Sequence, residues 1–242
     1  MRVTLLFVMM LSFLTAQPRE ALLIGNNNYQ YITNLNDPLP NLKRLKKRLE
    51  DIDFHVKIKT NLNAENLEYA IEQFRNRLAR SSDTIGFLYY TGHGCQVDYQ
   101  GYLVPTNVDT TKKLKVKYNA LNINEMQETL KEAGNRVNMI FLDACRDIPL
   151  GAKGSSKGLG QIQNTPKGTL VVYATQAGQI AKDNSNFINS IINTIALPNQ
   201  SIRNLPYSIS DAFKSADGQK PISSAMEIPK IVLKSGYVPP TP

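Results

Sequence analysis

Three stretches of this chain are apolar almost without interruption: "TIGFLYYT" at 84–91, "VNMIFLD" at 137–143 and "TLVVYAT" at 169–175. Strands of this kind have no face suited to water, so they must be covered on both sides, as in a mostly parallel sheet between two helical layers. Shorter strands are predicted at 20–25 ("EALLIG"), 54–60 ("FHVKIKT") and 230–233 ("KIVL"). Helical spacing fills the intervals. Leu39, Leu42, Leu45 and Leu49 share one stripe, and Leu67, Ile71, Phe74 and Leu78 share another. Further helices are predicted from Asn122 to Ala133, from about Phe187 to Ala196 and around Ser201 to Lys214. The expectation is an α/β protein, a three-layer α/β/α sandwich with six strands.

A length of 242 residues suits one full-sized domain. The net charge of +8 would suit a nucleic-acid binder, but the basic residues are interleaved with acids, as in "LKRLKKRLEDID" at 42–53, and no nucleic-acid partner is expected. Residues 1–16, "MRVTLLFVMMLSFLTA", have one cation, an apolar run and a small last residue, the layout of an export signal. A secreted or periplasmic protein is expected, with no membrane association once the signal is removed; a buried first strand or a retained anchor are the alternatives. From 146 to 168 the chain is rich in Gly, Ser, Lys and Pro without a period, which predicts a long loop.

In an open parallel sheet, ligands bind beyond the carboxyl ends of the strands. "FLYYTGHG" puts His93 at one such end and "FLDACRD" puts Cys145 at another. The other histidine, His55, lies in an alternating strand and reads as a surface or half-buried residue. A cysteine nucleophile needs a base and an oxyanion pocket. His93 supplies the first, and the backbone N–H groups of Gly94 and Cys145 are suited to the second, with the glycines flanking His93 making room for a substrate. Taken singly, a strand-end cysteine is more often core packing, and Gly-His-Gly more often a turn.

From about Ala21 to Ile195 the chain resembles the caspase-like cysteine peptidases, and more closely their metacaspase and paracaspase branch. The motifs that carry the resemblance are "ALLIGNNNY", "YYTGHG", "GYLVPTN", "FLDACRD" and "GTLVVYATQAG" followed by "NSNF". The His-to-Cys separation also matches the spacing of about 50 residues in caspases. The resemblance implies a caspase-like six-stranded sheet in a single domain over 17–242. Its large-subunit-like part runs to about 148, then a loop over 149–168 and a small-subunit-like part over 169–235. It also implies a cysteine endopeptidase with Cys145 as nucleophile and His93 as base.

Caspases that cleave after Asp have Gln two residues before the nucleophile, whereas this chain has Asp143, as in the metacaspase and paracaspase pattern. In "QAGQIAKD" the place of a caspase P1-pocket arginine falls to Asp183. Both changes favour a cationic P1 side chain, so the expected partner is a protein or peptide cut after Arg or Lys. The family's acid at the start of the first helix, which also lines the P1 pocket, is here Asn41, which would hydrogen-bond a basic side chain without neutralising it; either affinity for P1 Arg is reduced or Asp37, four residues earlier, partly compensates. The loop resembles the family's junction between subunits, with Arg146, Lys153, Lys157 and Lys167 as possible self-cleavage points; a plain surface loop is the alternative. No cofactor or metal is expected, calcium included, since no dense acidic ligand loop is present. A monomer or a dimer fits equally. Cys95 has two readings, a partner for a disulfide with Cys145 or a thiol remote from the site. A catalytically silent caspase-fold interaction module is the alternative function, suggested by Asn41. Legumain-, gingipain- or separase-like peptidases share the same Cys/His logic.

Overall fold

The structure is a computed structural model and describes residues 17–145, 165–174, 185–213 and 220–236. The export-signal reading of 1–16, most of the 149–168 loop, and Arg146, Lys153, Lys157 and Asp183 lie outside the described residues. For Cys145 the description concerns the backbone alone.

The elements follow one another as β1 (Arg19–Gly25), α1 (Leu39–Glu50), β2 (His55–Thr60), α2 (Ala64–Leu78), β3 (Ile85–Val97), β4 (Gln100–Leu103), α3 (Lys113–Asn119), β5 (Leu121–Asn122), α4 (Ile123–Lys131), β6 (Val137–Cys145), β7 (Thr169–Tyr173), α5 (Asn186–Thr194), α6 (Leu205–Ala212) and β8 (Ile222–Met226). The six main strands are ordered β2-β1-β3-β6-β7-β8. All neighbours along that path are parallel except β7 and β8. The short strands β4 and β5 extend the sheet beyond β3 in antiparallel pairing.

Strand alternation sorts the core into two layers. Ile85, Phe87 and Tyr89 of β3 pack with Leu42, Leu45 and Leu49 of α1 and Ile188 and Ile191 of α5. Leu88 and Tyr90 point the other way, onto Leu67, Ile71 and Phe74 of α2 and Met126 and Leu130 of α4. The expected sandwich is therefore present. Helix starts are fixed locally: the Asn63 side chain accepts from the Asn66 N–H, and that of Asn122 from the N–H groups of Asn124 and Glu125.

Toward the end of the chain the predicted elements differ from those observed. "KIVL" is no strand; Ile231 and Leu233 are buried in the core from irregular chain, and only Val232 forms an isolated bridge, to Ser201. The sixth strand is β8, "ISSAM", an edge strand with mostly exposed side chains and so no apolar signature. The helix expected over 201–214 is confined to Leu205–Ala212, beginning with Pro206 in its first turn. His55 is a surface strand residue, its Nδ1 3.0 Å from the Glu20 carboxylate.

Leu45 is wholly buried where α1 crosses the sheet. Leu45→Ala should cost about 2–5 kcal/mol, read from the urea unfolding midpoint at unchanged slope.

Candidate active site

β3 and β6 are paired in parallel from Ile85↔Val137 to His93↔Cys145, so the two residues end up side by side on adjacent strands. Neighbouring strands lie about 4.8 Å apart. β1 stops opposite Thr91, and β4 takes over as neighbour only at Gly94. His93 is therefore inside β3, at the point where the strand changes partners, and not past its end as predicted.

The backbone at this switch point is held by backbone groups of Asn26 and Val104 and by the hydroxyls of Tyr29 and Tyr90. The Asn26 N–H donates to the Thr91 carbonyl at 2.9 Å. The His93 N–H donates to the Tyr29 hydroxyl oxygen at 2.8 Å. The His93 carbonyl accepts from the Val104 N–H at 3.0 Å and from the Tyr90 hydroxyl at 3.0 Å. These bonds all lie on the β1 and β4 side, and strand alternation leaves the Gly94 N–H on the other edge, facing β6 and Cys145. A Cβ on Gly92 would stand 2.6 Å from the Tyr29 hydroxyl and 2.8 Å from that of Tyr90. The room made by Gly92 is thus occupied by the protein's own phenols, which corrects the expectation that both glycines clear space for substrate.

The imidazole is oriented from the loop after β1. Nε2 of His93 lies 2.8 Å from the Thr33 carbonyl oxygen, which can only accept, so Nε2 carries the proton and Nδ1 the lone pair. Nδ1 is buried and has no hydrogen-bond partner among the described residues. The Tyr29 ring lies tilted against the imidazole, centroids 4.6 Å apart at 57°. Burial lowers the His93 pKa from its ordinary value, with the Thr33 carbonyl opposing that effect. Folding thus favours neutral imidazole, and this contribution to stability is lost as the pH falls through the lowered pKa. A neutral ring with a buried, unpaired lone pair is suited to take a proton.

Asp143 lies two residues before Cys145, on the sheet face that carries α1 and α5, and its carboxylate accepts from the Tyr89 hydroxyl at 2.8 Å. Asn41, half-buried on α1, donates from Nδ2 to the Ser185 hydroxyl at 2.6 Å. Its carbonyl oxygen accepts from Arg44 at 3.2 Å, and Arg44 also donates to Asn189 at 2.9 Å. The oxygen expected to meet a basic substrate is therefore engaged by a guanidinium of the same chain. Asp37 is exposed and accepts from the Leu39 N–H at 2.9 Å, capping the start of α1. Lys167 pairs with Glu227 at 2.8 Å beside the amino end of β7. Since Thr169 is level with Asn138 on β6, seven residues before Cys145, Lys167 lies at the opposite end of the sheet from Cys145, more than about 20 Å away. Among the described residues no group of three or more His, Cys, Asp or Glu is placed to hold a metal ion.

Cys95 is a free thiol, buried among Tyr29, Val97, Tyr102 and Val104. Burial pushes its pKa up to about 12, so it is held as the thiol, a poor participant in disulfide exchange. Sequence reasoning missed Tyr29, Tyr90 and the Thr33 carbonyl. Tyr29 sits in a polar turn and Tyr90 in an apolar strand, and a backbone carbonyl has no residue-type signature.

Residues 18–232 match the sequence pattern of the caspase domain, and the chain belongs to the caspase family of cysteine peptidases. It is 29% identical over 131 residues to the mucosa-associated lymphoid tissue lymphoma translocation protein 1 of Homo sapiens, covering 54% of this chain and 15% of that protein. It is 27% identical over 134 residues to caspase-1 of Mus musculus, covering 54% of this chain and 32% of that one. The chain thus spans less than a third of the length of each. Caspase-1 from Spodoptera frugiperda shares the fold, with a TM-score of 0.66 and 16% identity over 91% of this chain and 93% of that one.

The burial of Cys95 should show in its reactivity. In the native protein at pH 8, Cys95 should resist iodoacetamide and react only on unfolding, as read by peptide mass spectrometry; ready native labelling of Cys95 would contradict its burial.

Proposed function

We propose that the protein is a cysteine endopeptidase that cleaves after Arg or Lys. The observation that carries the reading is the register of His93 with Cys145, together with the buried Nδ1 of His93, which has no partner among the described residues. In this reading His93 Nδ1 takes the Cys145 thiol proton, while the Thr33 carbonyl accepts from Nε2–H and stabilises the imidazolium. The thiolate sulfur bonds to the scissile carbonyl carbon, and the oxyanion is met by the N–H groups of Gly94 and Cys145. As the C–N bond breaks, His93 returns its proton to the departing amine. Water, deprotonated by His93, then hydrolyses the thioester and frees Cys145.

The basic P1 preference is supported by Asp143, whose carboxylate is held by Tyr89 two residues from the nucleophile. Asp183 joins it by sequence register alone. With Asn41 occupied by Arg44, the charge complementarity rests on these two acids. Residues 1–16 support an exported enzyme, and Arg146, Lys153 and Lys157 are the proposed points of self-processing.

The test is hydrolysis of paired fluorogenic peptides, P1 Arg or Lys against P1 Asp, under reducing conditions with and without calcium. Turnover of the basic peptides alone, abolished by Cys145→Ala, is the expected result; folded protein that turns over neither would favour the silent interaction module. Asp143→Asn should reduce kcat/KM for P1 Arg by about tenfold or more, since one charge-assisted contact is lost. The acid limb of kcat/KM should fall below about pH 6.5, the ordinary histidine value, because burial disfavours the imidazolium.

A further inference from the structure

His93 poses a backbone problem that its neighbours in the sheet do not solve. Its N–H faces the side of β3 from which β1 has already departed, and the chain there has not yet paired regularly with β4. Val104, just past the end of β4, is opposite His93 and donates its N–H to the His93 carbonyl, but its own carbonyl accepts from the Tyr90 hydroxyl at 3.1 Å and from the Asn26 amide at 3.4 Å. A buried N–H must find a partner. It finds the Tyr29 hydroxyl.

Tyr29 is itself fixed. Its own N–H donates to the Asn34 side-chain oxygen at 2.6 Å, and the turn is closed by Leu35 N–H to the Asn27 carbonyl at 2.9 Å. Thr33, whose carbonyl holds the imidazole Nε2, belongs to the same turn, next to Asn34. One turn therefore grips His93 at two points, through a hydroxyl on its backbone and a carbonyl on its ring. With only the ring contact, the imidazole could still swing about the Thr33 oxygen. With both, and with the tyrosine ring tilted against the imidazole, the direction of Nδ1 is set.

We propose that Tyr29 is a positioning residue for His93, its hydroxyl and the Thr33 carbonyl acting as a two-point clamp braced by Asn34. The inference rests on the peptidase reading for its catalytic consequence, and the clamp can be tested apart from it. Tyr29→Phe keeps the ring and removes the oxygen. It should lower kcat by about tenfold to a hundredfold with little change in KM, the pattern of a misaimed base with intact substrate binding.

The deciding readout is the pH dependence of Cys145 alkylation by iodoacetamide, resolved from Cys95 by peptide mass spectrometry. At pH 6, where the thiolate depends on His93, alkylation of Tyr29→Phe should be slower than wild type by about tenfold. Above about pH 9, where a thiol of ordinary pKa near 8.5 ionises unaided, the two proteins should react alike. Equal alkylation at all pH values with equal kcat would overturn the proposal, and so would a deficit that is the same at every pH, which a general loosening produces. Should Tyr29→Phe not fold, 3,5-difluorotyrosine in place of Tyr29 keeps the shape and weakens the oxygen as acceptor, with the same low-pH deficit expected. Wild-type protein without Cys145-dependent peptidase turnover would sink the functional reading, while the alkylation profile would still decide the clamp.

Discussion

Everything at the site depends on the parallel ladder between β3 and β6. Nine consecutive pairs lock the two strands, and the last of them sets His93 against Cys145. Register in a buried sheet is not negotiable, because a slip of one residue would turn each apolar side chain of one strand to the opposite helical layer. The packing of Phe87 on Phe141, ring centroids 4.7 Å apart, thus helps determine which residues meet further along the two strands, at His93 and Cys145. The core of the protein is, in this sense, the ruler that sets His93 level with Cys145.

The departure from regular pairing occurs where it has chemical use. As long as β3 is flanked by β1 and β6, its backbone polar groups are consumed by the sheet. Once β1 ends, they become available to side chains, and Tyr29 and Tyr90 take them. Gly92 is the residue that permits this, since any side chain there would collide with both hydroxyls. The low-dielectric surroundings that make these contacts strong also keep the imidazole neutral and the Cys95 thiol protonated.

The strands that are covered on both faces were legible in the sequence, as were the leucine stripes of α1 and α2. So was the position of His93 and Cys145 next to two buried strands, because both adjoin uninterrupted apolar runs, whereas the pairing of those strands with each other is a long-range event. What escaped has physical reasons. β8 lies at an edge with its side chains in solvent, so it has nothing apolar to declare, while Ile231 and Leu233 are apolar because irregular chain also packs onto the core. β3 continues through "GHGCQV" because β4 arrives to pair with it, a long-range event without local trace. α3 buries only Val116 of its seven residues. The expected role of Asn41 depended on an oxygen being free, and only the fold reveals that Arg44 has claimed it.

The parts of the chain on either side of the 146–168 stretch are joined by far more than that stretch. β6 and β7 share five ladder pairs in the middle of the sheet. Above them Arg44 and Arg48 of α1 reach across to the Asn189 side chain and the Ile192 carbonyl of α5, and one apolar cluster draws on both parts. Covalent continuity is therefore a minor component of what keeps these two pieces together. Were the connection severed, the sheet and this cluster would still hold the two pieces to each other, with His93 and Cys145 on one and α5 on the other.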